Sequence, residues 1–318
     1  MRMGSRAAIL LAVSLLASAC GGDGGSPPPA QGGVPTPAPA GPPPRTDTTS
    51  YSRAFADDAA RTLPGFGIDI VIRETGQVLP DGTRETIAQI TLPQRHNVLF
   101  DFDPASRLGR FQIGGEARVV QEDAGTTYRV GSDTVEWYRP GPETEEFLGF
   151  ARYPQLAGGY VASVSHSLET YADDFRREQV AVVGFETVIA DLPPSGVESR
   201  RFKATFVSQD NSANNIATFG ADFPVEIDYA KDRLKAQIAT VLPEGAASNR
   251  NITFDFEGKL DRSGQIVSGT LKDSSGAARA EGQVIGAFYG PYAAELNLFG
   301  KLVLADGRQL LVFFFQQP

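Results

Sequence analysis

The chain has 318 residues, 41% hydrophobic and 21% charged, with 38 acidic against 29 basic side chains, one cysteine and two histidines. The net charge of −9 argues against nucleic acid and against electrostatic docking on anionic lipid. Two histidines and one thiol cannot supply a multi-histidine or multi-thiolate metal site, and one cysteine cannot close an intrachain disulfide, so stability has to come from burial and hydrogen bonding.

In chain order, Arg2 and Arg6 precede an apolar run over residues 7–17, which arrives at Leu16-Ala17-Ser18-Ala19-Cys20. This is the charged region, apolar region and small-residue cleavage site of a secretory signal. The run falls short of the roughly 20 apolar residues that a membrane-spanning helix needs. The stretch resembles the bacterial lipobox, with Ala17 standing where leucine is commonest. That resemblance implies a signal peptide over 1–19, and a mature chain whose Cys20 carries diacylglycerol and an N-acyl chain such as palmitate. Anchoring by several acyl chains is effectively stable, each buried CH₂ contributing about 0.8 kcal/mol. Loss of Arg2 and Arg6 leaves 27 basic against 38 acidic residues, a net of −11. Residues 20–50 then form a tether. It is rich in glycine and proline, nine of the 22 prolines falling within 27–44, and it is expected to behave as a semi-rigid polyproline spacer.

After residue 51 short runs of Val, Ile, Thr, Tyr and Phe alternate with turn residues, the pattern of many strands. Strands are predicted over 68–73, 85–91, 97–103, 115–121, 126–131, 159–165 and 179–188. Residues 51–61 carry a mild helical pattern, and 167–178 are polar enough for a loop or a single turn. Asp191-Leu192-Pro193-Pro194-Ser195-Gly196 marks a boundary, dividing a β-rich domain over 51–190 from a second over 191–318. In the second, strands are predicted over 200–208, 215–219, 224–229, 233–241, 251–259, 266–272, 280–289, 293–304 and 309–315. The tetrapeptides beginning at Asp261, Asp273 and Ala305 supply the residues that tight hairpins need. About eight antiparallel strands at this spacing suit a small closed barrel. The final strand, Leu310-Leu311-Val312-Phe313-Phe314-Phe315, is apolar on both faces, so its outer face is expected to be covered by the N-terminal half. The fold class is therefore all-β. A membrane-spanning barrel fits less well, because Glu198-Ser199-Arg200-Arg201-Phe202-Lys203 puts charges on both faces of a strand.

Residues with binding or catalytic chemistry are few. His96, His166 or a tyrosine could ligate a haem iron, although a lone histidine beside a strand is more often solvated. Ser165-His166-Ser167 suggests a hydrolase, but neighbours on a strand point to opposite faces, so the histidine is not placed to deprotonate either serine. Glu143-Thr144-Glu145-Glu146 and Asp173-Asp174 read as solvated loop faces. Trp137 and Tyr138, beside Arg139-Pro140-Gly141-Pro142, are the best candidates for a protruding aromatic contact, with Trp137 in the core as the competing reading.

Finally, Gly286-Ala287-Phe288-Tyr289-Gly290-Pro291-Tyr292-Ala293-Ala294-Glu295-Leu296 resembles the closing motif of transferrin-binding-protein-B-like barrel lipoproteins, G-x-F-Y-G-P-x-A-x-E-[LV]-G-G-x-F. Asn297-Leu298 replaces the Gly-Gly pair and Phe299 comes one residue early. Val183-Gly184-Phe185-Glu186-Thr187 resembles the strand entering these barrels, and residues 251–258 resemble an inner barrel strand. Physically the motif reads as a hairpin, broken at Gly290-Pro291 and re-entering near Ala293, with Glu295 at the start of pairing. The resemblance implies an N-terminal handle domain followed by an eight-stranded barrel, in which Gly286, Phe288, Tyr289, Gly290, Pro291, Ala293 and Glu295 are structural. It also implies a lipid-anchored protein of the outer membrane and cell surface. Such a protein would be non-enzymatic and would capture an iron or haem source, such as a host carrier, for an outer-membrane transporter. The alternatives are an assembly lipoprotein that binds only envelope proteins, facing the periplasm or the surface, and a hydrolase of another type.

Overall fold

A computed structural model describes residues 60–318 apart from 79–81, 83, 94–95, 115, 132–133, 153–159, 171–174, 209–216, 244–248, 278 and 318. The signal peptide, Cys20, the tether and the predicted helix up to residue 59 lie outside the described residues. Arg61, assigned above to that helix, instead opens a strand.

The N-terminal sheet contains β1 (Arg61–Val78), β2 (Arg84–Thr91), β3 (Val98–Asp103), β4 (Leu108–Ile113), β5 (Glu116–Gln121), β6 (Thr127–Val130), β7 (Thr134–Pro140), β8 (Thr144–Arg152), β9 (Val161–Thr170) and β10 (Phe175–Gly184). It runs in the order β5-β4-β3-β1-β10-β9-β8-β7-β6. The 18-residue β1 organises it. One edge of β1 pairs with β10, while the other pairs with β3 up to Gly65 and with β2 from Asp69 onward. At the gap between those two partners the Asn97 side chain takes the place of a strand: its Oδ1 accepts from the Gly67 N–H at 2.8 Å and its Nδ2 donates to the Gly67 carbonyl at 3.0 Å. The sheet curls around a core that includes Phe100, Phe111, Trp137 and Phe150.

The second half is a closed antiparallel barrel of β11 (Val197–Ser208), β12 (Ala217–Asp228), β13 (Arg233–Pro243), β14 (Asn249–Asp261), β15 (Ile266–Asp273), β16 (Ala280–Tyr289), β17 (Glu295–Leu304) and β18 (Gln309–Gln316), sealed by the pairing of β11 with β18. Alternation decides the two faces. On β14, Phe254, Phe256 and Leu260 are buried inside, while Asp255, Glu257 and Lys259 are exposed outside. Phe202, Phe206, Phe254, Phe256 and Phe314 fill the interior, with Phe256 and Phe314 edge to face at 5.6 Å. A wall carrying exposed Arg233, Lys235, Asp255 and Glu257 faces water, because lipid-facing charges are costly.

The covered face expected of the final strand is present. On β18, Leu310, Val312 and Phe314 point into the barrel, whereas Leu311, Phe313 and Phe315 point outward and are 1%, 6% and 7% exposed. Phe66 of β1 meets Phe299 of β17 at 6.4 Å. The free edge of β2 is satisfied from the barrel: the Ile90 N–H donates to Gln309 Oε1 at 2.8 Å, and Lys301 Nζ donates to the Ile90 carbonyl at 3.1 Å.

Several predicted elements need correction. Residues 167–170 and 175–178 are strand in β9 and β10, and β4, β7 and β8 were not predicted at all. The predicted strands 215–219 and 224–229 merge, from Ala217 on, into one strand, β12, which runs through Pro224 to Asp228. Its pairing to β13 covers only Glu226 to Asp228, so the missing proline N–H leaves no gap in that ladder. Between the two halves, Ile189–Asp191 form a single 3-10 turn.

Candidate functional site

The motif hairpin sits where the two halves meet. Gly286 is required by its neighbour, since a Cβ there would lie 1.9 Å from the Asn297 carbonyl oxygen. Gly290 has φ +74°, and a Cβ would lie 2.4 Å from the Tyr160 ring. Pro291–Ala293 form a short 3-10 turn, and β17 begins at Glu295, directly opposite Tyr289. The segment just after β10 binds this hairpin. The Thr187 N–H donates to the Phe288 carbonyl at 2.8 Å, the Gly290 N–H donates to the Phe185 carbonyl at 2.8 Å, and Thr187 Oγ1 donates to the Gly290 carbonyl at 2.7 Å.

Phe288 points into the barrel, but Tyr289 and Glu295 point outward into a buried polar cluster. Both are 0% exposed. Glu295 Oε2 accepts from the Tyr160 N–H at 3.2 Å, while its Oε1, the Tyr289 hydroxyl and Asn297 Nδ2 make no hydrogen bond among the described residues. Burial pushes the Glu295 carboxyl up from its ordinary value, and burial followed by the charges of Glu186 and Glu295 pushes the Tyr289 hydroxyl well up. His96 borders the same cluster. Its Nε2 lies 2.7 Å from Glu186 Oε2, off the direction of a good hydrogen bond, and its ring leans on Phe66 at 4.2 Å.

The other candidates lie elsewhere. His166 is 2% exposed inside the N-terminal sheet, and its Nε2 meets Glu146 Oε1 at 2.9 Å. That hydrogen bond is the first cause of the lowered Glu146 pKa, with burial opposing it and Arg139, 3.2 Å away, assisting. Glu145 and Glu146 are therefore not part of a solvated loop face, Glu145 being buried on β8 and Glu146 engaged, whereas Glu143 before them is exposed. Trp137 is not a protruding contact. It is 0% exposed, its indole N–H donates to the Arg107 carbonyl at 2.7 Å, and it packs against Tyr128 and Phe102. Tyr138 is half-buried and donates its hydroxyl to Glu145. The sequence singled out His96 as a possible ligand, and the structure places it at the junction beside Glu186. Glu186 and Asn297 fell in segments quoted for the motif and Tyr160 in a predicted strand, but nothing in the sequence brought the three together.

An open groove of about 930 Å³ runs beside the junction, between Leu92-Pro93 and the outer barrel wall at Lys231, Lys259, Thr270 and Gln283. No motif announced it, because its wall is built from the exposed alternate residues of four strands and turns.

No family model matches the chain, and no curated protein matches it. Among solved structures it is similar to transferrin-binding protein B of Haemophilus parasuis, at 11% identity and a TM-score of 0.38, over 82% of this chain and 76% of that one. It is also similar to the haemoglobin receptor HpuA of Kingella denitrificans, at 12% identity and a TM-score of 0.35, over 86% and 89% of the two chains. The description of the fold rests on the strand pairing above.

Chemically, the junction joins the two sheets through the Tyr160–Glu295 and Thr187–Gly290 hydrogen bonds and leaves the Tyr289 hydroxyl and one Glu295 oxygen buried beside them, and the groove presents mixed charge to solvent. Neither histidine stands free as an axial ligand: Glu186 flanks one and Glu146 the other.

Proposed function

We infer that the chain is a lipid-anchored binding protein of the outer-membrane surface. It is non-enzymatic, it captures a protein carrying iron or haem for an outer-membrane transporter, and it holds no prosthetic group of its own. The observation that carries this reading is the barrel, whose interior is filled by side chains and whose wall is charged. Such a barrel has no room for a small solute inside, so recognition belongs to outer surfaces of protein size, of which the junction groove is one. The anchor rests on the Leu16–Cys20 stretch, and the link to iron rests on the Gly286–Leu296 motif.

The test is a thermal-shift, absorbance and pull-down screen of the unlipidated full chain (Cys20→Ser) against haem, ferric chelates and iron-carrying proteins. A saturable shift with an iron-carrying protein supports the reading. A Soret band with free haem overturns the carrier part, and copurification with an envelope protein alone moves the protein to the assembly class. Separately, labelled palmitate should enter the wild-type chain and be lost in Cys20→Ala.

A further inference from the structure

Five buried side-chain atoms without a hydrogen-bond partner among the described residues belong to the junction: His96 Nε2, Glu186 Oε1, the Tyr289 hydroxyl, Glu295 Oε1 and Asn297 Nδ2. Buried polar groups are nearly always paired, so such a concentration calls for a cause. The backbone sets these groups in a row. Tyr289 of β16 is directly opposed to Glu295 of β17 on one side and bridged to Glu186 on the other, so the three side chains stand on one face, spaced by about 4.8 Å from strand to strand. Asn297 follows Glu295 on that face, and His96 ends the row with its Nε2 2.7 Å from Glu186 Oε2. Three further residues border it. Tyr160 donates its N–H to Glu295 Oε2 and lays its ring against Gly290, Phe66 packs on His96, and Phe315 is opposed to Asn297. They bring the Tyr160 phenol but no charge, and among the described residues no lysine or arginine pairs with Glu186 or Glu295.

The row is one proton short. Tyr289 has a single hydroxyl hydrogen and a carboxyl on either side, so with both carboxyls ionised the phenol can serve only one of them. Two carboxyls in one dry site do not ionise independently, and burial outweighs the Tyr160 hydrogen bond in holding the Glu295 carboxyl above its ordinary value. One added proton balances the count: Glu295 then donates to the Tyr289 oxygen, and Tyr289 donates to Glu186 Oε1. That chain runs from the barrel wall to the segment that leaves the handle. Exposure is graded along it, from 0% at Glu295 and Tyr289 to 11% and 29% for the side chains of Glu186 and His96, which gives a proton a way in from solvent.

We propose that this row is a proton-operated latch between handle and barrel. A proton entering past His96 completes the hydrogen-bond chain Glu295–Tyr289–Glu186 across the seam, and its return to solvent leaves two carboxylates facing one phenol and loosens the seam. The latch goes beyond the capture reading and is tested without any captured partner.

The test is hydrogen exchange of the unlipidated full chain (Cys20→Ser) at about pH 4.5 and about pH 8, with the intrinsic pH dependence of exchange divided out. The reporters are the Thr187 and Gly290 amides, whose hydrogen bonds to Phe288 and Phe185 close the seam, and the control is the β13–β14 ladder. A raised carboxyl pKa stabilises the closed seam below its ordinary value and ceases to do so as pH rises through the raised one. Protection of the reporters is therefore expected to be about tenfold greater at the acid value for each unit by which closing the seam raises that pKa, with the control unchanged. Glu295→Gln, which keeps a donor in place, is expected to give the high protection at both pH values, and Tyr289→Phe, which removes the link, to give the low one at both. Equal protection at both pH values in the wild type overturns the latch, as does a pH dependence that survives intact in Glu295→Gln or in Tyr289→Phe. A parallel change in the control also overturns it, because the whole chain would then be opening. Should Glu295→Gln fail to fold, Glu186→Gln leaves one carboxyl for one phenol hydrogen and is expected to flatten the dependence; an undiminished dependence there refutes the latch.

Discussion

The two halves solve the same problem in opposite ways. The barrel closes on itself through β11 and β18 around a largely apolar interior, with a polar network at one end in which Arg200 donates to Gln316 and Tyr229 and Tyr229 donates to Glu198. The handle sheet ends in β5 and β6, which are consecutive in sequence and joined by only one bridge, Asp123 to Thr126, among the described residues. Its interior therefore changes character along each strand. On β9 the inward positions run from Ala162 and Val164 to His166, and on β10 from Val183 and Ala181 to Gln179 and Arg177. A closed sheet leaves room for few polar groups inside, and the inward Arg200, Tyr229 and Gln316 bind one another. The incompletely closed one carries ion pairs on its inward positions, the His166–Glu146 couple and the Arg177–Asp69 pair lying toward the same end.

The strongest test of that contrast is deletion of one large ring from each core. Phe256→Ala in the barrel and Trp137→Ala in the handle are each expected to cost about 3 to 5 kcal/mol in denaturant unfolding. Because the halves share the buried face formed by Phe66, Phe299, Phe313 and Phe315, both variants should lower one common transition. Two separate transitions would show that the halves are independent.

Next comes a place where the barrel's outer wall buries a carboxyl. Burial raises the folded-state pKa of Glu295, so its contribution is complete at acid pH and is lost as pH rises above its ordinary value of 4.5. Glu295→Gln is expected to raise stability near neutral pH by about 1 to 3 kcal/mol and to flatten the profile above pH 4.5. An unchanged profile would mean that the carboxylate is stabilised by a route other than Tyr160.

Glu146 has the opposite sign. Its lowered pKa, due first to the hydrogen bond with His166, supplies stability that is present at neutral pH and lost as pH falls below about 4.5. Glu146→Gln should therefore cost about 1 kcal/mol at pH 7, screened by its partial exposure, and little at acid pH. The smallest effect is expected on the water-facing wall: Arg233→Ala, which removes the exposed pair with Glu257, should change stability by less than about 1 kcal/mol.

The barrel was the more legible half because closure imposes strict alternation. The predicted 280–289 coincides with β16, and 309–315 differs from β18 by one residue. The handle was harder to read for the same reason that it is chemically richer. Residues 167–178 look like loop because Glu169, Arg176, Arg177 and Glu178 lie where strands leave the apolar core, yet each has a register partner across β9 and β10. Thr144–Arg152 was missed because Glu145 and Glu146 open it with charge, although Tyr138, His166 and Arg139 pair those charges. The junction motif was legible as a hairpin. Its polar side was not, because Glu186 and Tyr160 reach Tyr289 and Glu295 from more than 100 residues away.

The Ile90–Gln309 hydrogen bond spans 219 positions. The strand that donates Gln309 also seals the barrel against β11. A growing polypeptide therefore has neither a finished handle edge nor a closed barrel until β18 has been made, and up to that moment both sheets present unpaired backbone. The last seam of each sheet is thus made by the last strand, and its open edges are the chain's exposure to mispairing until β18 arrives.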